Sequence, residues 1–179
     1  MPERIEVIEA RKNKDDKNYF LKVIEEDPLL IEWANEDIRN DKEVMLKAVK
    51  LDAGALEFAS DNLKDDKDVV IEAAKNGGWT AVYYSDKLRN DKDVMLEAVK
   101  NDGQALYFAS EKLRDDEDVV KEAVTNKPLI IKYASLRLRS NIEIALLTMN
   151  SAGGKLRKTI LDFFPTDIQQ NEKIKELLE

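Results

Sequence analysis

The chain contains no histidine and no cysteine. Without cysteine there are no disulfides, no thiolate nucleophile and no zinc–sulfur site. Without histidine the usual general base, the partner of a catalytic serine and the commonest transition-metal ligand are missing together. No enzyme activity, cofactor or metal is therefore expected. Positive charge is also short: 29 Lys and Arg stand against 37 Asp and Glu, a net charge of −8 with a pI near 4.9. That balance argues against a phosphate backbone, whose affinity comes from Lys and Arg displacing counterions, and against an anionic membrane surface. No run approaches the eighteen or so apolar residues of a membrane span. The opening MPERIEVIEARKNK has no apolar core and no small-residue cleavage site. A cytoplasmic protein is expected, with delivery into a host cell left open.

What is present is a repeat. The string DKDVMLEAVKNDGQALYFASEKLRD at 91–115 returns after twenty-five residues in either direction, as DKDVVIEAAKNGGWTAVYYSDKLRN at 66–90 and DKEVMLKAVKLDAGALEFASDNLKD at 41–65. Five units begin in strict phase at Asp16, Asp41, Asp66, Asp91 and Asp116. A fixed period with no insertion marks an array of one supersecondary unit. A second period appears at fifty, since the units at Asp41 and Asp91 share VML and those at Asp66 and Asp116 share DVV.

Within a unit, apolar residues at the fourth, fifth, eighth and ninth places (Val94, Met95, Ala98, Val99) have the spacing of one helical face. A short polar residue precedes each such helix (Asn40, Asp65, Asn90, Asp115, Ser140), with an acid three places later; these read as capping-box positions. Breaks such as Asn76-Gly77-Gly78, and Pro28 and Pro128 in other units, place the start of a second, short helix, for example over 104–110. A leucine or isoleucine closes each unit. The fold class expected is all-α, an α-solenoid of stacked two-helix repeats with a 25-residue period. Its parts are a capping half-repeat at 1–15, with Pro2 at the first turn and Ile5 and Ile8 on one face, five repeats at 16–140, and a degenerate sixth repeat with a capping helix at 141–179.

The combination D-K-x-V-V/M-L…A-V-K…A-L-x-F/Y-A-S-x-x-L-R/K resembles the tandem repeats of the family catalogued as domain of unknown function 4116. The likeness is good over 16–140 and poor over the last forty residues, with Leu136, Tyr84 and the long sixth unit as departures. It implies a helical repeat domain without established catalytic residues. Such domains occur often in proteins of host-associated bacteria, protists and large viruses, which hints at partner binding.

Recurring columns suggest packing. The aromatics Trp33, Phe58, Tyr83, Phe108 and Tyr133 recur at the eighteenth place and are expected in the core. The cations Arg39, Lys64, Arg89, Arg114 and Arg139 are expected to pair with acids at the following helix start. Asp clusters such as Asp65-Asp66-Lys67-Asp68 lack the ligand spacing of a calcium loop and read as helix caps, and Ser60, Ser85, Ser110 and Ser135 as helix-end residues. At the fourteenth and seventeenth places the units disagree, as a surface free of packing constraints would. The partner-binding candidates are Trp79, Val82, Tyr84, Gln104 and Tyr107, since Trp and Tyr are favoured interface anchors. The function expected is a non-enzymatic scaffold for another protein, a basic one if the acidity steers it. The alternative is an acidic inhibitor that mimics nucleic acid with carboxylates such as Asp66, Asp91 and Asp116.

Overall fold

The computed structural model describes residues 4–178; Pro2 and Glu179 lie outside the described residues. Every regular element among the described residues is helical. Units two to five each contain a ten-residue α-helix (Lys42–Leu51, Lys67–Asn76, Lys92–Asn101, Glu117–Asn126), while the first unit has a shorter one, Lys17–Val23. A six-residue 3-10 helix follows in all five: Pro28–Trp33, Ala53–Phe58, Gly78–Tyr83, Gly103–Phe108 and Pro128–Tyr133. A single α-turn carrying the closing Ile or Leu completes each unit, as in Glu111–Arg114. The long helices pack each on the next, the 3-10 helices do likewise, and each 3-10 helix also touches the long helices of its own and the following unit. The result is a two-layered solenoid sharing one continuous core.

The second helix is thus 3-10 rather than α, and the closing residue sits on a separate turn. Only six residues lie between the extended residue that follows the long helix and the next extended residue, Asp102 and Ala109 in unit four. A 3-10 helix spans more length per residue than an α-helix and tolerates such short runs. Its three residues per turn fix the faces. Gly103 and Leu106 point inward and are buried, whereas Gln104 and Tyr107, three apart, lie together on the outer face.

The long helices are capped one residue later than the sequence suggests. Asp66, not Asp65, accepts from the N–H groups of Asp68 (3.0 Å) and Val69 (3.2 Å), and Asp41, Asp91, Asp116 and Asn141 do the same in their units. The residues expected to cap close the preceding one-turn helix instead, so that two residues, one closing the short helix and one capping the long one, lie between the two helices. Their side chains meet the next unit's serine: Ser60 Oγ donates to Asn40 (2.6 Å) and Ser110 Oγ to Asn90 (2.7 Å). Where an Asp replaces the Asn, a cation joins, Lys87 on Asp65 at 2.9 Å and Arg137 on Asp115 at 2.9 Å. That alternation gives the fifty-residue period part of its physical content. Each serine also N-caps its own short helix, and its N–H reaches a carbonyl of the preceding unit, as Ser110 N to Arg89 O at 3.0 Å.

The basic column does not form the expected ion pairs. Arg89 Nη2 donates to the carbonyl of Val82 (2.7 Å), its guanidinium lies 6.0 Å from the Phe108 ring centre, and the nearest carboxylate is Asp86 of its own turn at 3.7 Å. Lys64 lies likewise 6.0 Å from the Tyr83 ring. The long stems are laid against aromatic surface, leaving Nε of Arg39, Arg89 and Arg114 buried without a hydrogen-bond partner. The acids at the helix starts are taken by lysines from the second place of the preceding unit: Lys17 bridges Asp41 and Glu43, Lys42 bridges Asp66 and Asp68, Lys67 bridges Asp91 and Asp93, and Lys92 bridges Asp116 and Asp118.

The aromatic column is half-buried rather than fully internal, lining the edge of the core under those cations. At the N-terminal end the helix Ile5–Lys12 turns Val7 and Ala10 inward and leaves Ile5 and Ile8 exposed, because its packing partner is the first 3-10 helix, where Arg11 lies 3.8 Å over Trp33. After Ile142–Ser151 a true α-helix, Gly154–Leu161, takes the place of the 3-10 segment, which accounts for the extra length there. Two short helices, Thr166–Gln169 and Glu172–Glu176, complete the described chain.

Candidate functional site

The outer face of the 3-10 layer is where the units differ. Its residues, in unit order, are Leu29 and Glu32, Gly54 and Glu57, Trp79 and Val82, Gln104 and Tyr107, and Leu129 and Lys132. All but Gly54 are exposed. Trp79 and Tyr107 keep 46% and 54% of their surface in contact with solvent, far more than a core aromatic would. Leu29, Val82 and Leu129 add exposed aliphatic surface to the same strip. Apolar side chains gathered in one place in this way mark a contact surface more often than singly scattered ones do.

Backbone economy makes the strip continuous. The Trp79 indole lies flat across two glycines: a Cβ on Gly54 would sit 3.4 Å from its ring, and one on Gly77 would sit 2.8 Å from its Nε1. The same position on Gly54 lies 3.6 Å from Leu29, so units one, two and three meet there. Further along, Tyr107 packs edge-on against Phe108 (5.0 Å between ring centres) and Tyr133 (4.8 Å), drawing units four and five together. Between Tyr107, Leu129, Lys132 and Leu156 opens a cleft of about 480 Å³, its floor formed by Pro128 and Ile130.

Of the sequence-predicted site residues, Trp79, Val82, Gln104 and Tyr107 share this face; Tyr84 does not. Tyr84 is 3% exposed. Its ring replaces core volume that unit three lacks: where units two and four place Leu56 and Leu106 with Ala59 and Ala109, unit three has Ala81 with Tyr84. The bulk has moved by three residues, one 3-10 turn. A buried phenol needs a polar partner, and Thr80 supplies it, its Oγ1 standing 3.2 Å from the Tyr84 hydroxyl while donating to the Gly77 carbonyl at 2.7 Å. Burial pushes the Tyr84 phenol up to about 12, against the opposing effect of its hydrogen bond with Thr80. Tyr84 is therefore a packing residue, and its departure from the repeat is explained by its neighbours Thr80 and Ala81.

Leu29, Leu129, Lys132 and Glu32 belong to the face equally. The signal for them was available in the spacing of three between the variable places, but apolar residues at two of those places resemble core until the 3-10 geometry is known. The carboxylates of Asp66, Asp91 and Asp116, by contrast, are held by backbone N–H groups and by lysines of the preceding unit. Burial alone would raise them, but the lysine contact and the two N–H groups outweigh it and hold all three below the usual carboxylate range. No helix among the described residues is long and apolar enough to cross a membrane.

No curated protein and no solved structure matches the chain. A family model matches it in four stretches, residues 16–64, 42–86 and 66–114, which overlap, and 116–169, which reaches well into the sixth unit that the repeat pattern alone represents poorly. Each stretch spans about two of the units described above. With most of its length so covered, the chain belongs to the tandem-repeat family described as Domain of unknown function (DUF4116).

Proposed function

We propose that the protein is a non-catalytic scaffold that binds another protein along the outer face of its 3-10 layer. The observation that carries this reading is the joint exposure of Trp79 and Tyr107 on a face where neighbouring units differ from one another. Elsewhere the unit is constrained by shared packing, by the lysine bridges and by the serine ties. An anchor of this kind contributes through desolvation in the centre of an interface, and Trp and Tyr are the side chains most enriched there. No feature of the geometry favours the nucleic-acid mimic, because the repeated Asp carboxylates are engaged within the solenoid itself.

The test compares the full chain with a Trp79→Ala/Tyr107→Ala variant in affinity purification followed by mass spectrometry. About half of each side chain is in water and neither belongs to the buried core, so the variant is expected to keep its fold, checked by circular dichroism. Loss of a bound protein from the folded variant supports the assignment. Equal recovery from both forms removes the binding reading from this face.

A further inference from the structure

The two ends of the outer face mirror one another: unit one carries Leu29 with Glu32 and unit five Leu129 with Lys132, a leucine at both ends beside charges of opposite sign, with Trp79 and Val82 midway between them. Building on the protein-binding reading above, we infer that the occupant of this face is a second copy of the same chain, related by a two-fold axis that lies in the plane of the interface, runs across the length of the solenoid and passes over unit three. A two-fold interface must be self-complementary, with residue i against j and j against i. Here that operation sets Leu29 against Leu129 of the second copy and Glu32 against Lys132 of the second copy. It also brings Glu57, whose carboxylate accepts from the Tyr83 hydroxyl at 2.9 Å, close to the Tyr107 phenol. Trp79 and Val82 meet their own counterparts at the axis, where an interface is driest.

The ionic ends of the strip support this arrangement independently. Neither Glu32 nor Lys132 has an ion-pair partner among the described residues, in a chain where lysine after lysine bridges two acids. Lys132 only overhangs the Tyr133 ring, 4.9 Å from its centre. The opposite relation, with the axis running along the solenoid, would place Glu32 on Glu32 and Lys132 on Lys132, and like charges across an interface disfavour it. Charge thus selects the antiparallel pairing.

The scale is adequate. With neighbouring helices about 8–10 Å apart, the five units set their outer residues over roughly 40 Å. A strip of that length and about 15 Å width buries on the order of 1,200 Å² over both copies, at the lower edge of stable interfaces. A reversible dimer is the expected species.

Sedimentation velocity on the purified full chain tests the proposal. The wild type should show a monomer–dimer equilibrium that weakens with added salt. Lys132→Glu alone and Glu32→Lys alone should each raise the dissociation constant at least about tenfold, since both create facing like charges. The two together restore the opposite pairing and should return it to within about threefold of wild type. Both side chains changed are exposed, so melting temperatures report that folding is intact. A chain that stays monomeric at high concentration overturns the proposal. So does a dimer indifferent to the single charge reversals, or one that the double reversal fails to restore. If the chain is monomeric and Trp79→Ala/Tyr107→Ala still loses a different captured protein, only the self-pairing falls and the binding face stands.

Discussion

The Lys67 ammonium lies 2.8 Å from Asp91, the residue that caps the long helix of the next unit, and 3.0 Å from Asp93 in its first turn. Asp91 therefore acts twice, once for its own helix through the N–H groups of Asp93 and Val94, and once for the junction between units three and four. The two roles separate by substitution. Asp91→Ala removes both and should cost about 1–2 kcal/mol for the cap alone, lowering the melting temperature by roughly 3–6 °C. Asp91→Asn should retain most of that, since asparagine caps as well as aspartate and Asn141 already does so in unit six. A thermal scan in which Asn and Ala lose equally would show that the ion pair, not the cap, dominates.

The same bridges set the acid limit of the fold. Asp41, Asp66, Asp91 and Asp116 are each held below the usual carboxylate range by a lysine and two N–H groups that overcome the effect of burial. Hydrogen bonds from Ser85 and Lys87 lower Asp65, and those from Ser135 and Arg137 lower Asp115. A depressed folded-state value means the unfolded chain binds protons more readily. The stabilisation is complete above the unfolded carboxylate value near 4 and is lost as pH falls through the folded values beneath it. With no histidine in the chain, no side-chain type ordinarily titrates between about pH 5 and 8. Melting temperature plotted against pH should be level across that window and fall steeply below about pH 4. A step near pH 6 would contradict this account.

Gly78 and Gly103 begin their 3-10 helices where the chain passes closest to the next unit. A Cβ on Gly78 would lie 2.1 Å from the Ala98 carbonyl oxygen, and one on Gly103 would lie 2.5 Å from that of Ala123. Each glycine N–H is received by the next unit's asparagine, Asn101 at 2.8 Å and Asn126 at 2.9 Å. The colliding atoms are backbone, so relief requires the units to move apart. Gly78→Ala and Gly103→Ala should each destabilise by at least about 1–3 kcal/mol. Gly154→Ala, where the added carbon meets nothing within 4 Å, serves as control and should be neutral or better. Chemical denaturation of the three variants checks this.

The repeat was legible because packing repeats. Val94, Met95, Ala98 and Val99 have counterparts in the neighbouring units, and all are buried as their spacing implies. What the sequence left ambiguous were matters of one residue or one face. Every long-helix start offers two adjacent polar residues, as in Asp65-Asp66 and Asp115-Asp116, and either can cap on spacing alone. The choice depends on the preceding one-turn helix, which four residues such as Glu111–Arg114 scarcely announce. Arg89 was misjudged for a related reason, since its nearest acids in sequence are not the nearest in space. In the candidate face, Trp79 and Tyr107 stood out as departures from the repeat, and so did Tyr84. Identity alone does not distinguish an outlier that meets solvent from one that compensates a missing neighbour.

That compensation gives the sharpest prediction. Unit three exchanges a large residue at place sixteen and a small one at place nineteen for Ala81 and Tyr84, and both are buried. Tyr84→Ala should leave a cavity and cost about 3–5 kcal/mol. Ala81→Leu in the presence of Tyr84 should overpack the same space and cost about 1–3 kcal/mol. Combined, they recreate the arrangement of Leu106 with Ala109, and the double variant should be more stable than Tyr84→Ala alone, a non-additivity of the kind neighbours in contact show. Additive losses would mean that the two side chains do not share one volume. Tyr84→Phe gives a second reading of the same site. Because burial raises the phenol to about 12, its stabilisation is complete below the unfolded tyrosine value near 10 and is lost as pH rises toward the folded one. The wild type should therefore lose stability more steeply than Tyr84→Phe between about pH 10 and 12, and denaturant midpoints measured across that range would expose a phenol that is not buried if the two curves ran parallel.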